Sequence, residues 1–589
     1  MTTKEYFDSI ESVPKKQYDA LREFFVDKRS ADETAKKYGY TKHSFYALSK
    51  KFQNHLKTKD KNSPDFFFKE PALGRKPVNN DELKKLVIDL RKQNHSAEEI
   101  VSIANSHSHK TSYWTVYHIL MKEGFTRLGR RTIKEKNKLF TKIDKIKASV
   151  AAKLELEPEI FTSSNTGLLV FLPIIVKYGI DKVIERSYFP STAPINKMSS
   201  ILCFLALKLS NIKRYSHDDI WCNDRGMGLF AGLNVLPKTA WYSSYSSRVD
   251  SSMNLSFLKE LHGIWVEHGL LSDTVNLDFT TIPHWGDSEH LENNWSGKRG
   301  KALSSISAVL AQDPETGIID YGNCDVTHKN ESAVVLEYLD FYRSAAQENE
   351  PLKYLVFDSK FTNYENLSKL DDQQIKFVTI RRRGGKMLDE IAKNKNWKTI
   401  RVETSGLKKR TLKIFDENIT LPGYKDEKTG KAKKIRQIVI TGHGKIKPAI
   451  LITNEFDLSA EELVRKYSRR WLVEKGIAEQ IDFFHLNRLS SSMVVKVDFD
   501  MVMTILAHNL YRLLARELGD RYKKMSNEKI YHKFIINSGE IEIEMEQIRV
   551  DLKKKRDLPQ LLEFTKKIKS AKFAWLENKK ICFNASAST

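Results

Sequence analysis

Three carboxylates stand where an ordinary surface acid would not. Asp278 interrupts the run VNLDFTT, Asp358 ends YLVFDSK, and Glu474 lies in KYSRRWLVEKGIAEQIDFFHL. Burying an unpaired charge is costly, so an acid inside an apolar strand needs a partner. Clustered acids repel one another, and divalent cations relieve that repulsion. Hard oxygen donors suit Mg2+, which keeps several of its waters. Zinc would call for histidine or cysteine ligands, and neither clusters here. Two such ions about 3.5–4 Å apart activate an attacking oxygen and stabilise a leaving one, as in-line phosphodiester cleavage requires. Asp278, Asp358 and Glu474 are therefore the candidate catalytic residues and ligands for two Mg2+ ions, with Mn2+ as a substitute. Any one of them is uninformative among 75 acids. The case rests on the three together.

Such acids must be positioned by a sheet and a helix. TVNLDFTTI alternates and is rich in β-branched residues, which predicts a strand. SSISAVLAQ and GIIDYGNCDV predict the next two, with DPETG as the turn of a hairpin between them. NESAVVLEYLDFYRSAAQ has helical spacing. KYLVFD is apolar for most of its length, as a central strand is, and KFVTIRRR is a fifth strand. From about 397 to 455 the chain stays strand-like and polar. DLSAEELVRKYSRRWLVEKGIAEQIDFFHL then predicts a long helix, opened by the capping pair Ser459 and Glu462. This order matches the mixed sheet of ribonuclease-H-like nucleases and integrases. It puts Asp278 mid-strand, Asp358 at a strand end and Glu474 on the helix.

The segment Tyr467-Ser-Arg-Arg470-Trp-Leu-Val-Glu474 resembles the Y-x2-R-x3-E core of the YREK signature, carried by a branch of the DDE transposases of insertion sequences. LDFTTIPHWG and YLVFDSKFTNYENL resemble that family's two aspartate blocks. The stretch between Asp358 and Glu474, 116 positions long, resembles its β-strand insertion. The resemblance covers about 270 to 515. It implies that Asp278, Asp358 and Glu474 bind the metals, that Arg470 clamps a phosphate of the element end, and that Tyr467 packs on or bonds to that backbone. In one respect the sequence departs from the family. Its lysine, seven positions after the glutamate, is replaced by Ile481, while Lys475 lies on another helical face. An ordinary salt bridge is the competing expectation for Arg470. Lys298, Arg299 and Lys301 suit a phosphate, although a solvated charge run has the same composition. Trp285 and Trp295 have the chemistry to stack on an extruded base, but a core or surface aromatic is the commoner role.

Two similar segments open the chain, about 15–56 and 80–125. Each predicts three short helices, with capping pairs Ser30…Glu33 and Ser96…Glu99 and candidate caps Thr41 and Ser112 on the third. Helices of this size joined by a small turn match the helix-turn-helix plan. The faces offered to DNA would then be Lys42, His43, Lys50 and Lys51 in one copy, and Ser112, Tyr113 and Thr115 in the other. A plain helical bundle or a dimerisation module is the alternative. Arg75, in Gly74-Arg75-Lys76-Pro77, resembles a basic arm for a narrow minor groove, though a solvated linker looks the same.

Composition agrees with a polyanionic partner. Lysine and arginine outnumber acids 98 to 75, a formal charge of +23 in 589 residues, and neutralised phosphates release counterions. The hydrophobic fraction of 40% excludes a broadly disordered chain. Four cysteines, Cys203, Cys222, Cys324 and Cys582, form no CxxC pair and predict reduced thiols. No signal-peptide core and no long apolar run is present, so the expected location is the cytoplasm, in association with the nucleoid.

The expected fold class is multidomain α and α/β: tandem helix-turn-helix units plus a ribonuclease-H-like mixed β-sheet core with a β-strand insertion. The expected boundaries are 1–57 and 80–136 for the two units, with a basic linker at 58–79. A helical connector follows at 137–270. The core occupies 271–395 and 457–520, interrupted by the insertion at 396–456, and a basic helical region closes the chain at 521–589. The function implied is binding of element ends and metal-dependent DNA hydrolysis and strand transfer into target DNA, as a homodimer on double-stranded DNA and with no membrane role. The alternatives are a transposase-derived regulator without catalysis and a nuclease without strand transfer.

Overall fold

The computed structural model describes residues 13–58, 66–67, 81–92, 95–106, 109, 111–125, 156–213, 215, 217–283, 291–296, 300–345, 352–403, 409–444, 447–470, 483–486, 494–568 and 571–586. Contacts divide the chain into two compact units, Met1–Glu82 and Leu83–Thr589.

The first unit holds helices Val13–Phe25, Ala31–Lys37 and Lys42–Lys57 around Ala20, Leu21, Ala35 and Phe45. Ser30 accepts from the Glu33 amide and Thr41 from that of Ser44, so both expected caps form. The turn between the last two helices uses Gly39 at φ 66°, a left-handed conformation that costs a residue with a Cβ about 1–2 kcal/mol.

The second unit opens on the other three helices, Asp81–Lys92, Ala97–Ser106 and Tyr113–Lys122, closed over Val87, Ile100, Ala104 and Val116. Here the capping box is complete. Glu99 N–H donates to Ser96 Oγ at 3.2 Å, and Ser96 N–H donates to Glu99 Oε2 at 2.8 Å.

Beyond 156 the chain is mixed. Helices such as Lys197–Leu209 and Ser251–Glu267 fill 165–270, as expected there, and pack with the long helix Val494–Glu517. Strand β1, Glu159–Ser163, belongs to a sheet completed far along the sequence. The main sheet comprises β2 Thr274–Pro283, β3 Asn293–Ser296, β4 Lys301–Gln312, β5 Ile319–Val326, β6 Tyr354–Phe357, β7 Lys376–Ile380, β8 Lys398–Glu403, β9 Lys409–Lys425, β10 Ala432–Thr441 and β11 Ala449–Thr453. Its inner order is β5-β4-β2-β6-β7, antiparallel among the first three and parallel from β2 through β7. This is compatible with a ribonuclease-H-like core. Asn509 of the long helix grips the β5 backbone, accepting from Ile319 N–H and donating to its carbonyl.

The strands of 396–456 continue this same sheet. β11 pairs antiparallel with β7, and β10, β9 and β8 follow outward. One face of this extension is covered by Leu463 and Val464 of helix Ala460–Ser468, the other by Met387, Ile391 and Trp397.

The C-terminal region is not uniformly helical, contrary to the sequence expectation. β12 Gly539–Ile543, β13 Gln547–Leu552 and β14 Lys580–Ala585 build a four-stranded sheet with β1, in the order β1-β12-β13-β14. The reason is legible afterwards: Ile541, Ile543, Ile548, Val550 and Leu552 recur with period two and are buried. All four cysteines are free. Among the described residues no helix is long and apolar enough to cross a membrane.

Candidate active site

Asp278 and Asp358 are neighbours because of strand register. β2 and β6 run parallel, with Asn276 opposite Val356 and Leu277 opposite Phe357. Each aspartate is the next residue on its strand path. Adjacent strands lie about 4.8 Å apart and side chains alternate between faces, so the two acids leave the sheet side by side on one face. Val356 shares that face and packs in the cluster containing Leu463, Val464 and Tyr467, which places helix Ala460–Ser468 above the pair.

The two carboxylates are held alike. Asp278 Oδ1 accepts from Phe279 N–H at 2.9 Å, and Asp358 Oδ1 accepts from Ser359 N–H at 2.7 Å, where it caps the short helical turn Ser359–Phe361. Behind them Phe279 and Phe361 stack, with ring centroids 4.0 Å apart and planes 10° from parallel. Sequence reasoning overlooked this stack, although its residues follow the aspartates by one and three positions.

Arg470 closes the site from the helix side. Its Nη1 donates to Asp278 Oδ2 at 2.6 Å, and both side chains are buried, at 7% and 10% exposure. The guanidinium lies 5.5 Å from the centre of the Tyr467 ring. Burial pushes the Tyr467 phenol well above its usual range; Arg470 pulls it down, while the charges of Asp358 and Asp278 push the same way as burial. Tyr467, Arg470, Asp278 and Asp358 thus form one electrostatic cluster. The salt bridge is the competing expectation for Arg470, and this structure contains it.

The donor set fits a hard divalent ion. Two carboxylates face the same space, and the second oxygen of Asp358 has no partner among the described residues. No group of three histidine, cysteine or acidic residues that could hold a metal occurs among the described residues. Glu474, the expected third ligand, lies outside them, as do Lys475 and Ile481.

The remaining expected residues are spread more widely. Lys301 begins β4 and is exposed. Lys298, Arg299, Arg75 and Trp285 lie outside the described residues, as does the side chain of Trp295. Lys42, His43 and Lys50 are exposed on helix Lys42–Lys57, with Lys42 bonded to Asp32 at 2.8 Å. Ser112 is engaged as the cap of Tyr113–Lys122, accepting from the Thr115 amide, while Tyr113 stacks with Tyr117.

Comparison with known proteins bears on this site. The model of the family described as transposase DDE domain matches residues 271–510. No curated protein matches the chain significantly. Among solved structures, a cryo-EM structure of a piggyBac transposase synaptic complex with hairpin DNA aligns at 12% identity and a TM-score of 0.30, covering 69% of this chain and 82% of that one. The matched stretch contains Asp278, Asp358, Tyr467 and Arg470, and so this chain carries, over residues 271–510, a transposase DDE domain.

Proposed function

We propose that the protein binds the ends of a mobile element and catalyses metal-dependent hydrolysis and strand transfer of DNA. The observation that carries this reading is the placement of Asp278 and Asp358, side by side on adjacent parallel strands inside a matched DDE domain. Asp278, Asp358 and Glu474 would hold two Mg2+ ions, for which Mn2+ can substitute. Such a pair, when bound, activates the attacking oxygen and stabilises the leaving one.

The chain's own residues prepare that site. Arg470 sets its positive charge against Asp278, beside the second carboxylate on the adjacent strand. The Tyr467 phenol is protonated at neutral pH, as an ordinary tyrosine is, so it can donate to a phosphate oxygen. The Phe279–Phe361 stack fixes the backbone that follows each aspartate. Arg470 and Lys301, with Lys298 and Arg299, supply positive charge for the DNA backbone.

The two three-helix units would act as tandem helix-turn-helix modules. Lys42, His43 and Lys50 in one, and Ser112, Tyr113 and Thr115 in the other, read element ends, while Arg75 in the linker enters a minor groove. Bringing two ends together implies a homodimer on double-stranded DNA, and the proposed location is the nucleoid in the cytoplasm.

The test uses a labelled duplex taken from the DNA bordering the gene, with Mg2+ or with EDTA. The wild-type protein should nick it and join it to a second duplex only with Mg2+. Asp278→Asn should abolish nicking while leaving binding intact. Equal loss of both would count against these roles.

A further inference from the structure

β2 is polar on one face for most of its run. Thr274, Asn276, Asp278 and Thr280 recur at every second position, alternating with Val275, Leu277 and Phe279, and all four are buried. A strand covered on both faces ordinarily reads apolar throughout. Two of the four polar groups are accounted for. Thr274 Oγ1 accepts from Lys466 Nζ at 2.7 Å, and Asp278 holds Arg470 and the Phe279 amide.

Asn276 and Thr280 are not. Asn276 is fully buried, and neither its Nδ2 nor its Oδ1 has a hydrogen-bond partner among the described residues. Thr280 Oγ1 has none there either. Their neighbours in the sheet leave them so. Asn276 lies between Val356 on β6 and Gln312 on β4, whose Nε2 is engaged on the Gly317 carbonyl, and Thr280 lies beside Ala308. An unmade bond at a buried polar atom is costly, so such an atom marks a place for water, an ion or a ligand. Solvent comes close: a cavity of about 250 Å3, lined by Ser272, Thr274, Lys466 and Arg469 among others, opens one strand repeat from Asn276.

We propose that Asn276 and Thr280 are positioning residues that hold waters of a divalent ion bound at Asp278, one from each side along the strand. The inference rests on the metal-dependent reading of the same site. Mg2+ keeps several of its waters, and Asn276 Oδ1 and Thr280 Oγ1 can accept hydrogen bonds from them. A metal–water bond of about 2.1 Å followed by a hydrogen bond of about 2.8 Å spans most of the roughly 6.7 Å that separates each residue from Asp278 along the strand. Groups that act on a metal through its ligands in this way change its affinity by about 10–100-fold when removed. The two side chains thus stay unpaired in the metal-free chain and find their partners when the ion and its waters enter.

The test reads Mn2+ binding by the full chain from the paramagnetic resonance signal of the free ion, and melting in EDTA by scanning fluorimetry. Asn276→Leu and Thr280→Val replace each polar group by an apolar one of about the same size. In EDTA both should melt no lower than the wild type, because the bonds they remove are not made there. Both should bind Mn2+ about tenfold more weakly. Thr280→Ser, which keeps the hydroxyl, should bind it as the wild type does. A drop of several degrees in EDTA in either apolar variant, an Mn2+ affinity within about twofold of the wild type in either, or an equal loss in Thr280→Ser overturns the proposal. Asp278→Asn separates this role from the reading beneath it. If Asp278→Asn loses Mn2+ while the two apolar variants keep it, only the positioning role fails. If the wild type binds no Mn2+, or Asp278→Asn binds it equally well, the metal-dependent reading fails too.

Discussion

Replacing Arg470 by glutamine would expose the electrostatics of the site directly. Arg470 and Asp278 are both buried and share a 2.6 Å hydrogen bond, with Asp358 on the adjacent strand. Removing one partner of a buried ion pair costs about 3–5 kcal/mol, because the other charge is left in a poorly solvated place. For a cooperative unit of about 500 residues, each kcal/mol shifts the melting temperature by about 1 °C. In EDTA the variant should therefore melt about 3–5 °C below the wild type. Mg2+ should then repair part of the loss, since two carboxylates deprived of the Arg470 charge bind a divalent ion more tightly. At ten times its dissociation constant an ion contributes about 1.4 kcal/mol, or about 1–2 °C. The assay is differential scanning fluorimetry with and without Mg2+. The Mg2+-induced rise should be larger in Arg470→Gln than in the wild type. An identical rise in both, or a variant within a degree of the wild type in EDTA, would refute the argument that Arg470 stands in for cationic charge at Asp278.

Two further outcomes follow from groups away from the site. His508 is buried in helix Val494–Glu517, with Nε2 on the Gly317 carbonyl and Nδ1 on Asn527, and burial, with Arg512 acting in the same sense, lowers its pKa to about 3. An unfolded histidine titrates near 6.5, so as pH falls below that value the unfolded state takes up a proton that the native state refuses. Stability is therefore lost as pH falls, by about 2 kcal/mol between pH 7 and 5. His508→Gln should be less stable at pH 7 but show a pH 7-to-5 loss smaller by about that amount in urea unfolding. Ser96→Ala should remove the cap of helix Ala97–Ser106 at a cost of about 1 kcal/mol. Amide exchange in that first turn should then rise about fivefold, with no change in helix Ala31–Lys37.

What the sequence could reveal was set by range. TVNLDFTTI, SSISAVLAQ and KYLVFD carry a strand's alternation or apolar run within a few residues, and each is a strand in the structure. The capping pair Ser459 and Glu462 is equally local, and both of its bonds form. Non-local pairings left no such trace. Nothing in IRQIVITG or AILITN says that β11 will take the free side of β7 and so extend the core sheet. Nothing near Asp278 points to Arg470, 192 positions away, as its partner. The strands after 539 were missed for a different reason. Their alternation, at Ile541, Ile543, Ile548 and Val550, is local, but it is split by the turn between two short strands and flanked by helical segments.

The pairing of the two aspartates shows how a core fixes a site. Parallel strands cannot be joined by a tight turn, and here a hairpin and helix Val334–Ala345 separate β2 from β6. Register between them is set by burial: Leu277 and Phe357 fill one side of the sheet, and Val356 packs under Leu463 on the other. A slip of one residue would exchange the faces of a whole strand, exposing its apolar set. It would also carry one aspartate away from the other. The same packing that penalises the slip therefore holds the two carboxylates together, and the geometry required for chemistry is inherited from the stability of the sheet rather than maintained against it.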